Sequence, residues 1–162
     1  MDEIVQKFLR GTGPVLCVDI GSGTQDALLA RPGLECENWP RFVLPAPARL
    51  VAQRIRELAL LKRNIWLYGA NMGGGFTQAI KEHLAAGLSV SATAAATRGI
   101  HDNEDVVRSI GVEVRSNCPA GSVPVFLTDY SPEVWGGLLR HAGLRLPHLV
   151  VTAAQDHGVK TH

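Results

Sequence analysis

Residues 15–29, VLCVDIGSGTQDALL, constrain the fold more than any other stretch of the chain. An apolar run ends at Asp19, a Gly21-Ser22-Gly23-Thr24 turn follows, and a second apolar run is stopped by Arg31-Pro32-Gly33. Only about six residues separate Thr24 from that break, too few for an ordinary helix of three turns. The spacing therefore predicts a strand that returns beside the first. Such a turn can present several backbone N–H groups to a phosphate, because glycine carries no side chain to block close approach. An Asp at the strand end can hold a metal ion that neutralises that phosphate.

Composition sets wide bounds. The chain has 162 residues, 46% apolar and 19% charged, with a formal net charge of +1. That balance fits one globular α/β domain over residues 1–162 and gives no electrostatic case for nucleic acid or an anionic membrane. No apolar run approaches the roughly 20 residues needed to cross a bilayer. The acidic start, MDEIVQKFLRG, lacks a secretory pattern, so a cytoplasmic location is expected. Cys17, Cys36 and Cys118 are odd in number and form neither CxxC nor CxxxCxxC. Cys17 is expected as a buried free thiol in the first strand, and zinc, whose ligands come in close pairs, is not expected.

Periodicity supplies the remaining elements. Residues 2–10 read as a short helix, Val15–Ile20 as a strand, and 34–44 as a third extended segment interrupted by Pro40, as at a sheet edge. Helices are predicted over 48–62, from Phe76 to Gly87, over 104–110, and from Ser131-Pro132-Glu133 to about His141. Strands are predicted at 64–69, 88–92, 123–127 and 149–152. Three extended segments followed by alternating helix and strand describe an α/β domain with one mixed sheet.

Besides the first turn, several places carry polar residues that chemistry could use. Asn71-Met72-Gly73-Gly74-Gly75 lies between a strand and a helix, where unpaired N–H groups and a partial positive charge favour an anion; Gly73 and Gly74 are the candidate ligand contacts, against a plain close-packed turn. Asp156, in Gln155-Asp156-His157-Gly158, follows the last strand. If that strand runs parallel to the fourth, Asp156 borders the functional edge of the sheet as a candidate catalytic group. His83 sits on the inward face of its helix and reads as a core histidine. His101-Asp102-Asn103-Glu104-Asp105 reads as a helix cap with solvated acids, Arg98 as an anion contact or a loop residue, and Gln25 and Asp26 as cleft-facing or solvated.

The segment Asp19-Ile20-Gly21-Ser22-Gly23-Thr24 resembles the first phosphate loop of the actin-like ATPase and sugar-kinase superfamily. The resemblance implies that the amides of Gly21, Ser22, Gly23 and Thr24 hold terminal phosphates of ATP or another nucleotide, and that Asp19 carries Mg2+ through water. It implies an α/β, ribonuclease H-like mixed sheet with an antiparallel three-stranded start, as in one lobe of such a protein. The partner is then a second lobe or a second copy of the chain, because no second Asp-x-Gly-x-Gly-Thr occurs. Beyond the turn, YGANMGGG, HDNEDVVRSIGVEV and VVTAAQDHG look like an uncharacterised prokaryotic family labelled as pyruvate formate-lyase activating enzymes. That label implies radical S-adenosylmethionine chemistry, which the cysteine pattern does not match. Two alternatives stay open: an S-adenosylmethionine-dependent methyltransferase, which requires a helix directly after the turn, and a non-catalytic structural or interaction domain.

Overall fold

A computed structural model describes residues 13–71 and 74–154; the expected helix over 2–10, Met72, Gly73 and everything from Gln155 onward, Asp156 included, lie outside the described residues. The turn does return as a strand. β1 (Val15–Ile20) pairs antiparallel with β2 (Thr24–Ala30), and β2 pairs with β3 (Arg41–Pro45), which lies at a sheet edge just after Pro40. A single 3-10 turn, Cys36–Asn38, replaces the first part of the expected third extended segment.

The chain then builds a second sheet instead of extending the first. Helix α1 (Pro47–Leu60) leads into β4 (Ile65–Gly69), followed by α2 (Thr77–Ala85), β5 (Val90–Ala92), the one-turn α3 (Ala94–Thr97), α4 (Glu104–Ile110), β6 (Glu113–Val114) and β7 (Val123–Leu127). These four strands are all parallel, in the order β6-β5-β4-β7. Helix α5 (Pro132–His141) returns the chain to the first sheet, where β8 (Leu149–Ala154) pairs parallel with β1 and completes the order β3-β2-β1-β8. One mixed sheet was expected, and two sheets form. The reason is edge occupancy: β8, from far along the chain, takes the free edge of β1, and β4 finds its partners in β5 and β7.

Each sheet has one packed face. Leu16, Val18, Ile20, Ala27 and Leu29 alternate toward one side of the first sheet and share a core with Trp135 and Leu139 of α5. Ser131 caps that helix, its side chain accepting from the Val134 N–H, and Pro132 occupies the first turn, as the sequence pattern predicts. In the second sheet, Ile65, Leu67, Val90, Ala92, Val125 and Leu127 pack with residues of α1, α2 and α4. Parallel sheets are usually covered on both faces. Here the β6–β7 connection contains no helix, and the other face carries Trp66 stacked on Tyr68 (5.1 Å between ring centroids) and Tyr68 against Phe126 (5.0 Å). Gly69 makes room for that row: a Cβ there would lie 2.6 Å from the Phe126 ring, and its φ of +88° suits glycine.

Trp135 is 1% exposed and meets Phe42 of β3 edge to face at 5.9 Å. Trp135→Ala is expected to cost about 3–5 kcal/mol, from lost burial and the cavity left behind. The check is urea unfolding followed by circular dichroism.

Candidate functional site

The hairpin builds one side of the site. Asp19 and Asp26 are directly opposite in the β1–β2 register, so their Cβ atoms stand about 5 Å apart. Both are exposed and lie on the face of the sheet that α5 leaves uncovered. Ala153 and Val43 flank them, and the next row is Val151, Cys17, Leu28 and Arg41. These residues line a shallow groove of about 410 Å³. The Thr24 hydroxyl donates to an Asp26 carboxylate oxygen at 3.1 Å.

The turn differs from expectation in how it uses its glycines. Neither Gly21 nor Gly23 adopts a positive φ. Their value lies in close approach: a Cβ on Gly21 would stand 3.2 Å from the Thr24 carbonyl oxygen. The Gly21 N–H, expected to face a phosphate, instead donates to that carbonyl at 2.9 Å and closes the hairpin. Among the described residues, no backbone acceptor takes the Ser22 or Gly23 N–H. Ser22 is exposed and Gly23 is half-buried.

The first turn of α1 is the neighbour that the sequence did not reveal. Ala46, its N-cap, donates its N–H to the Gly23 carbonyl at 3.1 Å. The exposed Arg49 guanidinium lies 3.9 Å from the position a Gly23 Cβ would occupy. Ala48, one residue earlier, is 3.4 Å from the corresponding position on Gly75. The α1 N-terminus thus stands between the hairpin and the glycine-rich entry to α2. Arg49 had no signal in the sequence, because nothing in helical periodicity says which turn a helix end will touch.

The other candidates sort clearly. Gly74 and Gly75 have φ of +54° and +94° and lead directly into α2, while Gly73 and Asp156 lie outside the described residues. The strand expected to lead to Asp156 pairs with β1, not with the fourth strand, and is only partly buried. His83 is a core residue, fully buried with Nδ1 3.3 Å from the Ile55 carbonyl. Asn103 caps α4, accepting from the Asp105 N–H, and Glu104 pairs with Arg108, so that acidic run is a helix start. Arg98 is exposed. Gln25 is buried and donates to the Pro45 carbonyl, while Asp26 joins the open face. Cys17 is half-buried, and burial pushes its thiol pKa up; Cys36 and Cys118 are exposed. Among the described residues, no three His, Cys, Asp or Glu side chains gather as a metal site, and no helix is long and apolar enough to cross a membrane.

Two measurements test these placements. Facing like charges oppose strand pairing, so Asp26→Asn is expected to stabilise the metal-free protein by about 0.2–1 kcal/mol, read from its urea midpoint. Burial pushes the His83 pKa down, against the pull of the Ile55 and Arg63 backbone groups. The unfolded chain therefore binds the proton first. Stability contributed by neutral His83 is complete above the unfolded value of about 6.5 and falls as pH drops below it. The stability of His83→Leu should depend less on pH across that window.

The helix that a methyltransferase needs after the turn is absent, because residues 24–30 form β2. No curated protein and no solved structure matches the chain. A family model does match, over residues 72–162, which begins after the hairpin and takes in everything from α2 to β8. That match covers more than half of the chain, which belongs to the family described as "Putative pyruvate format-lyase activating enzyme (DUF1786)".

Proposed function

We propose that the chain is a phosphate- or nucleotide-binding lobe of the actin-like type, dependent on Mg2+ and incomplete as a catalyst by itself. One observation carries the reading: the Arg49 guanidinium stands beside a glycine turn whose Ser22 and Gly23 amides have no backbone acceptor among the described residues. A cation beside two open N–H donors suits the terminal phosphates of a nucleotide. The topology supports the same reading. Three antiparallel strands, then a helix packed on them, then a strand parallel to β1 is the order expected of a ribonuclease H-like lobe, with the four-stranded parallel sheet inserted after β3.

The donor set suits Mg2+. Asp19 and Asp26 face each other across the β1–β2 pair, and no third acid joins them among the described residues. Magnesium usually takes one or two carboxylates and completes its shell with water and substrate phosphate. The ion would screen phosphate charge, while the chain's own part is positioning: the Ser22 and Gly23 amides orient the phosphate, Arg49 offsets its charge, and Asp19 holds the metal's water. The opposing half of the cleft would come from a second lobe or a second copy.

The activating-enzyme description is not carried over to this chain. Radical S-adenosylmethionine chemistry needs three clustered cysteines, and Cys17, Cys36 and Cys118 belong to β1, the 3-10 turn and the segment after β6. Calorimetric titration of ATP, with and without Mg2+, tests the proposal. Mg2+-dependent binding is expected, with Asp19→Asn weakening it by about 10–100-fold, as loss of an outer-shell metal partner does. Arg49→Gln should weaken phosphate binding in both conditions while leaving thermal stability unchanged. Equal ATP affinity with and without Mg2+, or wild-type affinity in Arg49→Gln, would overturn the reading.

A further inference from the structure

We infer that the carboxyl edge of the parallel sheet is a second ligand site, built from Asn71, the first turn of α2 and the end of β7. Its ligand class is a hydroxylated phosphate monoester. This inference does not depend on the hairpin binding nucleotide. In the order β6-β5-β4-β7, the sheet grows in one direction from β4 through β5 and β6, then in the other to β7. Open α/β sheets bind ligands at such a reversal, beyond the carboxyl ends of the strands.

Asn71 sits at that point, two residues beyond β4. It is 5% exposed, and its side-chain N–H donates to the Thr128 carbonyl, just beyond β7, at 3.4 Å. That bond fixes which amide atom is oxygen, and the oxygen has no hydrogen-bond partner among the described residues. A buried acceptor left in this state is costly and uncommon. It is an acceptor to which a bound ligand can donate.

Helix α2 makes the opposite demand. It is nine residues long; its N-cap, Phe76, supplies no side-chain acceptor, and its first turn contains no acid. The Thr77 hydroxyl is committed to the Ile100 carbonyl. The first-turn N–H groups therefore favour an anion from outside. Gly74 and Gly75 lead into this end without a side chain, and a Cβ on Gly74 would stand 3.4 Å from the Gly99 carbonyl oxygen.

One ligand meeting both demands presents an anion to α2 and a donor to Asn71. A hydroxyl supplies that donor, which an ionised phosphate does not. A pentose phosphate has this arrangement.

The test uses the full chain labelled with 15N and titrated with ribose 5-phosphate, inorganic phosphate and ribose. Amide shifts at residues 74–79 are expected with both phosphates, and ribose 5-phosphate should bind about fivefold to tenfold more tightly than inorganic phosphate. Asn71→Ala should equalise the two. Because Asn71 is buried, Gln78→Glu provides the second test: Gln78 is exposed in the first turn of α2, where an acid stabilises a helix and repels a bound anion. It should abolish the shifts of residues 74–79 with both phosphates while the protein stays folded. In Asp19→Asn the shifts of residues 74–79 should titrate with ribose 5-phosphate as in the wild type, which separates this site from the hairpin. Absence of shifts at 74–79, unchanged binding in Gln78→Glu, or equal wild-type affinity for the two phosphates would each sink the inference.

Discussion

The seating of α5 on the hairpin sheet is the contact on which the architecture depends. Trp135 and Leu139 share the inner face of that sheet with Leu16, Val18 and Leu29. The helix also lies between β7 of one sheet and β8 of the other in chain order. When α5 is seated, β8 can lie along the edge of β1. Helix α5 therefore joins α1 in linking the hairpin sheet to the parallel sheet.

The hairpin end gains its chemical character from outside itself. Its own backbone uses the Gly21 N–H for closure, and its two acids repel. The α1 N-terminus changes that balance by placing Arg49 against Gly23 and Ala48 against Gly75. An anion at the turn would meet a guanidinium and open amides on one side and carboxylates on the other.

Most single elements were legible in the sequence. Period and punctuation placed β1 at 15–20, α4 at 104–110 and α5 after Ser131-Pro132, all as observed. The break at Arg31-Pro32-Gly33 correctly favoured a returning strand over a helix. Strand adjacency was not legible, because apolar alternation says which face of a strand is buried and nothing about its neighbour. For that reason two sheets were read as one, and the neighbour of β8 could only be entertained as a condition. The two-residue β6 was too short to produce a pattern. Within the site, Asp19 was visible through its motif and Asn71 through its glycines. Arg49 and the facing of Asp26 on Asp19 depended on tertiary approach.

The hairpin sheet joins segments from distant parts of the chain, with the His148 ring 2.9 Å from the Pro14 carbonyl across 134 residues of sequence. Contacts of such long range slow folding, since loop closure costs entropy before the contact repays it. The antiparallel strands can pair early, and the inserted parallel sheet can mature on its own local crossovers. The β1 edge must wait for both. During synthesis that edge stays open until β8 has emerged, so docking of β8 is the natural late step. An uncharged strand, LVVTAA, is well suited to close a long-exposed edge, and the same property lets it pair with the wrong chain.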